Sequence, residues 1–576
     1  MIIYQYIQSL LGFGILKIIF VSLTILSLAG CENDEVVSEK VVSVVEINSS
    51  TNVFPIRDKN LYIDENKTTT FDKNETKKVV LVDHNKREIK KDNQQIKKIA
   101  PKKEDNSVKL KISDPLYNFQ WYLHGSYGIN ISSIWSDYSG KGVSISVVDS
   151  GIESTHPDLR DNIDLVRSFR YEDNSSDPSP SLHELKDPFV DVPHGTSVAG
   201  IIGASQNDIG ISGIAYESNL VGLNVFSKPD DSSFENAIGY RNIDISSNSW
   251  GADLSFGLDD DKIVLDAITE KMQSDDPTIY IFAAGNEESN SEFSSILNSR
   301  YTLVIGSLTQ DGKIASYSNY GANILCVAPG GEDVEDKKIV TTDLVGDIYG
   351  YDLDGDHFDI LENRNYEYSN SFYGTSAAVP MVSGVVALML EANRNLSYRD
   401  IKYILAHSCR KVDRDHSSWS ENGAKLLFSN HYGFGLIDAS KAIVMAKDFK
   451  ALDSEIVVTK ELLDLNLSIP DNNATGIELN FDVDEDIILE YVALEVNINH
   501  EYSGDLRILL NSPYNLSTLA YGGTITDDQY MPWIFGTIGF MDERSRGKWS
   551  IKIMDMEKGD SGVLNSLKLN LYGHER

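Results

Sequence analysis

Cysteine is almost missing from this chain. Three residues, Cys31, Cys326 and Cys409, among 576 rule out a disulfide scaffold, and no CxxC or Cys/His spacing suggests zinc. Cys326 and Cys409 leave open one disulfide or two buried thiols. Positive charge is also scarce. Lys and Arg number 51 against 87 Asp and Glu, a formal net charge of −36, which repels a phosphate backbone and excludes nucleic acid as a partner. Proline (15) and glycine (41) are too few for a collagen-like or low-complexity chain. What remains is globular: 41% hydrophobic and 9% aromatic residues, in a length that exceeds one core and divides into about two to four domains.

The amino terminus reads as an export signal. Lys17 precedes the apolar run IIFVSLTILSLAG, which ends in small residues directly before Cys31. That run is shorter than the ~20 residues a spanning helix needs, although an uncleaved anchor stays open because residues 2–16 are also apolar. From Glu32 to Leu110 the chain is rich in Lys, Asn, Asp, Glu and Thr without sustained periodicity, the pattern of an unordered tether or propeptide. Both charge signs are nearly balanced there, so the acidity belongs to the body that follows. Its Lys and Arg pairs, such as Lys86-Arg87 and Lys102-Lys103, are cleavage sites or a solvated charge run.

Beyond Gly142 the pattern becomes β-branched. VSISVVDSG is a buried strand delivering Asp149 at its carboxyl end, the edge where α/β enzymes keep their chemistry. PHGTSVAGIIG puts His194 at the start of a small-residue helix, and GTSAAVPMVSGVVALMLE puts Ser376 at the start of a long apolar one. A serine hydroxyl needs a base to take its proton and a carboxylate to hold that base; Asp149, His194 and Ser376 supply these roles. IFAAGNEE ends a buried strand at Gly285-Asn286, where the Asn286 amide can stabilise an oxyanion beside the Ser376 N–H.

Together DSG, HGTSVAG, AAGN and GTSAAVP resemble, in this order, the signatures of subtilisin-like serine proteases, over about residues 114–447. The resemblance implies an α/β catalytic domain with a parallel sheet flanked by helices, and serine endopeptidase activity. DPLYNFQWYLHG and NSWG are similar to the kexin and furin branch of proprotein convertases. In that branch Ser249, Trp250 and Gly251 would pair with an extended peptide substrate, and Asp191 would bind a basic side chain; a core Trp and an exposed loop acid are the alternatives. The branch's acidic signature is incomplete. Ser150 follows Asp149, Ser294 stands near the primary-pocket acid with Glu292 close by, and Leu254 and Asn319 occur where calcium-binding carboxylates are expected.

Calcium is implied elsewhere. Asp114, Asp158 and Asn207 match side-chain ligands of the main subtilisin calcium site, whereas Asp352, Asp354 and Asp356 in YDLDGDHFD read as a solvated insert. After Lys450, alternating strands and the segments HEYSGDLRILLNSPYN and RGKWSIKIMDMEKGDSGVLNSLKLNLYG resemble the P domain of convertases, an all-β jelly roll, with Trp533 and Trp549 in its core. LAGC at Leu28–Cys31 resembles a bacterial lipobox, which implies lipidation of Cys31 and a membrane-anchored envelope protein. The expected domains are 1–31 signal, 32–110 tether or propeptide, 111–447 peptidase and 448–576 P domain, in a monomer acting on proteins or peptides. Two further readings stay open: broad extracellular degradation, and a catalytically silent binding lipoprotein.

Overall fold

The computed structural model describes residues 45–47, 77–79, 112–251, 261–334, 338–346, 348–351, 367–520 and 530–575. Cys31, Leu254 and Asp352, Asp354 and Asp356 lie outside them. Within the stretch read as an unordered tether, β1 (Val45–Ile47) pairs antiparallel with β2 (Lys77–Val79). Val45, Ile47 and Val79 are the β-branched residues of this pair.

The body begins with a seven-stranded parallel sheet: β3 (Ser144–Asp149), β4 (Phe169–Arg170), β5 (Asn219–Asn224), β6 (Ile245–Asn248), β7 (Ile279–Ala283), β8 (Thr302–Leu308) and β9 (Ile324–Pro329). Its spatial order is β4-β5-β3-β6-β7-β8-β9. β3, β6, β7, β8 and β9 are buried along their whole length, as strands covered on both faces must be. The central strands β3, β6 and β7 therefore end side by side at Asp149, Asn248 and Ala283.

Two helices start at that same edge. α1 (His194–Gly203) is pinned by the hairpin β10 (Ile339–Thr342) and β11 (Tyr368–Phe372): Ser197 Oγ donates to the Thr342 carbonyl at 2.8 Å, and Thr342 Oγ1 to the Thr196 carbonyl at 2.6 Å. A Cβ at Gly200 would stand 2.2 Å from Thr342 Oγ1, so the small residue permits this approach. α2 (Asp231–Ile238) and α3 (Lys262–Met272) pack on one another. α4 (Thr375–Ala392) is, among the described residues, the one helix long and apolar enough to cross a membrane, yet it is buried against α1 and β6–β9. α5 (Tyr398–Ser408), the short antiparallel pair β12 (Ser420–Glu421) and β13 (Leu427–Phe428), and α6 (Ala439–Lys447) close this half.

From Ile456 the chain is all β. One antiparallel sheet contains β14 (Ile456–Leu462), β22 (Gly562–His574), β17 (Ile488–His500) and β20 (Tyr530–Thr537), with β15 (Leu467–Ile469) paired to β22. The other runs β16 (Asn473–Val483), β21 (Gly547–Asp555), β18 (Leu506–Asn511), β19 (Leu516–Ala520). Alternating burial along β18 marks one face turned into a shared core, with Trp549 fully buried. Phe293 and Ala322 of the α/β half belong to that same core. Trp533 sits at the junction, its indole N–H donating to the Glu292 carbonyl at 3.1 Å. Asn290 Nδ2 donates to the Leu519 carbonyl at 3.0 Å, and Tyr491 Oη to that of Asn298 at 2.8 Å. The β half thus braces the loop that follows Asn286. Cys326 and Cys409 are both free thiols.

Candidate active site

Asp149, at the end of β3, is 1% exposed. Its Oδ1 lies 2.8 Å from His194 Nδ1 and accepts the Ser150 N–H at 2.7 Å, while its Oδ2 is buried without a partner. Phe372 meets the His194 ring edge-on at 5.4 Å and fixes its plane. Burial alone would lower the imidazole pKa; the Asp149 charge and hydrogen bond, with Asp191 beyond, outweigh it and push the value up to about 9.

Ser376 occupies the first turn of α4, after Gly374 at φ 117°. Pro380 lies four residues on and has no N–H to give the Ser376 carbonyl. Ser249 takes that role: its Oγ donates to the Ser376 carbonyl at 3.1 Å, and Ser376 Oγ donates to the Ser249 carbonyl at 3.0 Å. The nucleophile candidate is therefore clasped to the residue that follows β6, and must swing off that carbonyl to meet His194. Asn286 Oδ1 accepts both the N–H and the hydroxyl of Thr375, each at 2.9 Å. With the oxygen held, the amide Nδ2 remains as the donor beside Ser376.

The peptide-binding candidates differ from an open acidic cleft. Asp191 is exposed, but Tyr351 Oη donates to its two carboxylate oxygens at 2.8 and 2.9 Å, and the Tyr351 N–H is tied to Asp343 Oδ2 at 2.7 Å. Trp250 is half-buried, edge-on to Phe234 at 4.9 Å and Phe282 at 5.4 Å. Gly251 is exposed. A cavity of about 240 Å³ runs from Trp250 and Gly251 to Gly285 and Ser294, and among its described lining residues Asp261 is the one carboxylate. Glu292 does not line it. Its side chain is buried toward the β half, with Oε2 accepting the Ala322 N–H at 3.0 Å and its pKa raised well above the ordinary range by burial.

Asp114, Asp158 and Asn207 converge on one loop. Asp114 Oδ1 accepts the N–H groups of Asn207 and Asp208 at 3.1 and 3.0 Å, and its Oδ2 accepts the Ser212 hydroxyl. Asp158 Oδ2 accepts from the Ile211 N–H at 3.0 Å and from Tyr368 Oη at 3.2 Å, leaving Oδ1 buried without a partner. Burial, then the Asp114 charge, raise the Asp158 pKa to about 7. An orphaned buried oxygen beside a second carboxylate and an amide is a hard-oxygen donor set that fits calcium. No group of three or more His, Cys, Asp or Glu placed to hold a metal ion is present among the described residues, so Asn207 and loop carbonyls would complete the shell. Chelation is expected to lower Tm in a calorimetric scan, since an ion at about 100 times its Kd adds about 2.7 kcal/mol. Asp158→Asn should abolish that difference, and equal chelator sensitivity in the variant would rule this site out.

Two participants escaped the sequence reading. Tyr351 lies in a Gly- and Asp-rich segment without periodicity, and Asn319, whose Oδ1 accepts the Glu287 and Ser289 N–H groups beside Asn286, registered only as a carboxylate that is missing.

Comparison with known proteins bears on the family and the fold. The Subtilase family model matches residues 140–435, and the Proprotein convertase P-domain model matches 489–571. Furin-1 of Xenopus laevis is 28% identical over 505 residues, 82% of this chain and 60% of that protein. The human Proprotein convertase subtilisin/kexin type 6 is 30% identical over 81% of this chain and 49% of its own length. The Dibasic-processing endoprotease of Schizosaccharomyces pombe is 30% identical over 80% and 66%. The chain thus spans between about half and two thirds of these curated relatives. Among solved structures, the serine protease of Aeromonas sobria is similar with a TM-score of 0.74 at 26% identity, covering 82% of this chain and 97% of that one. The same protease in complex with a chaperone gives 0.72 at 26% identity, over 81% and 96%. A Subtilase family match over more than half of the residues, on a seven-stranded parallel sheet followed by a two-sheet β domain, leads to one conclusion: the chain belongs to the subtilase family.

Proposed function

We propose that the protein is a serine endopeptidase with Ser376 as nucleophile, His194 as general base and then acid, Asp149 as the group that orients it, and Asn286 as oxyanion donor. The observation that carries this reading is the Asp149–His194 hydrogen bond of 2.8 Å, at the strand edge where α1 and α4 both begin. Ser376 Oγ leaves the Ser249 carbonyl, gives its proton to His194 Nε2 and attacks the substrate carbonyl carbon. The developing oxyanion takes the Asn286 amide and the Ser376 N–H. His194 then protonates the leaving amine, and water, activated by the same imidazole, frees the acyl group. Calcium at Asp114, Asp158 and Asn207 would steady the loop behind α1. Residues 111–447 form the peptidase unit and 448–576 the P domain, in a monomer.

The acyl side of the substrate is held as an extended strand against Ser249–Gly251. The name of the Schizosaccharomyces pombe relative, a dibasic-processing endoprotease, supports cleavage after basic residues. Broad degradation is the second reading, favoured by the Tyr351 hydroxyl on Asp191 and by Ser294 in the pocket. Digestion of a diverse peptide library by the full chain tests both, with cut sites read by mass spectrometry. A serine endopeptidase gives internal cuts, and no cut from folded protein refutes the proposal. Tyr351→Phe should raise kcat/KM about tenfold for peptides with Lys or Arg as the second residue before the cut, because Asp191 regains a free carboxylate worth about 1.4 kcal/mol to a charged donor. Anchoring through a lipidated Cys31 at the cell envelope is supported by the LAGC segment. Intact mass of the mature protein checks it, and an unmodified Cys31 removes it.

A further inference from the structure

Between β7 and the loop braced by the β half, the chain makes a tight turn, Ala284–Ser289, that holds Asn286. Left alone, this turn is strained. Glu288, which carries a side chain, has φ 52°, while Gly285 takes φ 104°, a conformation that glycine alone adopts readily. What closes the turn is one fully buried side chain from a distant segment, Asn319.

The Asn319 side chain uses its whole hydrogen-bonding capacity on this turn. Its Oδ1 accepts the N–H groups of Glu287 at 3.0 Å and Ser289 at 2.8 Å. Its Nδ2 donates to the Ala284 carbonyl at 2.9 Å and to Glu287 Oε2 at 2.7 Å, and its backbone N–H donates to the Gly285 carbonyl at 3.1 Å. Glu287 Oε2 in turn accepts the N–H of Asn286 at 3.0 Å. The backbone on both sides of Asn286, and its own N–H, are thereby referred to one amide. A Cβ at position 285 would stand 2.2 Å from Asn319 Nδ2, so Gly285 and Asn319 fit only as a pair.

We propose that Asn319 is a positioning residue for the oxyanion amide, holding the turn around Asn286 through a neutral side chain that both accepts and donates. The chemistry is specific to an amide. Aspartate at 319 could accept from Glu287 and Ser289 but could not donate to the Ala284 carbonyl, and it would face the Glu287 carboxylate across 2.7 Å. Alanine would release the turn, and displacing an oriented group by about 1 Å costs about 100-fold in rate. Asn319 does not touch the substrate; it acts through Asn286, so the inference rests on the oxyanion role proposed above.

A double-mutant cycle on peptide hydrolysis by the full chain separates the two. Asn286→Ala should lower kcat by about 100-fold or more with KM little changed. Asn319→Ala and Asn319→Asp should each lower kcat by about 10- to 100-fold with KM within about threefold. In the Asn286→Ala background, either change at 319 should cost less than about threefold, because the group it positions is gone. Active sites are counted with a serine-directed phosphonate, so that loss of folded protein is not read as loss of kcat. If neither variant at 319 folds, Glu287→Gln, which loosens the same clamp from its half-exposed side, should show the same non-additivity. Full additivity with Asn286→Ala, or a rise in KM at constant kcat, overturns the positioning role while leaving the oxyanion reading intact. No effect of Asn286→Ala overturns both.

Discussion

Ser376→Ala should lower kcat about 10⁶-fold, the scale on which a serine unit loses its nucleophile, and leave KM within a few-fold. The substitution removes one hydroxyl from a side chain that is 7% exposed and makes one hydrogen bond, to the Ser249 carbonyl. Its structural cost is that of one such bond, about 1 kcal/mol, so Tm moves by a few degrees at most. Activity and stability separate because α4 is anchored by its apolar length and by the Ser249 hydroxyl on the Ser376 carbonyl, neither of which depends on Ser376 Oγ. Adding His194→Ala to this variant should cost nothing further, since base and nucleophile act as a unit. Peptide hydrolysis with matched calorimetry checks all three statements, and retention of Tm with retention of activity would remove Ser376 from the chemistry.

Asp149→Asn should lower kcat about 10⁴-fold, because an amide at this position holds the imidazole in the wrong tautomer. It also predicts a shift in the pH profile. Only neutral His194 can take the Ser376 proton, so wild-type kcat/KM rises with pH and is lost as pH falls below the folded value of about 9. Without the Asp149 charge, burial lowers the imidazole pKa against the smaller pull of Asp191 alone, and the residual activity of the variant should begin to rise at lower pH. The stability linkage runs the same way. The folded His194 pKa lies above its ordinary 6.5, so the contribution of the pair is fully present below about pH 6.5 and fades as pH rises through about 9. Paired pH profiles and Tm series of wild type and Asp149→Asn measure both effects.

What was legible in the sequence is what periodicity and turn chemistry encode. Continuous β-branched runs mark strands buried on both faces, small residues before apolar helices mark α1 and α4, and DSG and AAGN mark where strands end. These signals carry Asp149, His194, Ser376 and Asn286 to one sheet edge without any contact being known. The residues proposed to hold calcium, Asp114, Asp158 and Asn207, came from resemblance, and the structure brings them to one loop with an oxygen left over on Asp158.

Long-range side-chain bonds were not legible. Tyr351 reaches Asp191 across 160 residues, and Asn319 reaches Glu287 across 32; neither pairing follows from a local pattern, since each depends on where two loops arrive. For the same reason the resemblance counted Asn319 as a lost ligand, although its amide bonds the Ala284 carbonyl and the Glu287 and Ser289 N–H groups on either side of Asn286. The resemblance put Ser294 and Glu292 near positions where the convertase branch carries acids. The β half draws that segment away through Trp533 and Asn290, leaving Ser294 in the cavity and Glu292 under the junction.

The central claim is that Ser376 is an activated nucleophile, and covalent trapping tests it most directly. Full-length protein is incubated with a fluorophosphonate and examined by intact mass and peptide mapping. One adduct per chain, on Ser376, absent from Ser376→Ala and strongly slowed in His194→Ala, is the result this account predicts. Folded wild-type protein that takes no adduct, or takes it on another residue, would contradict it.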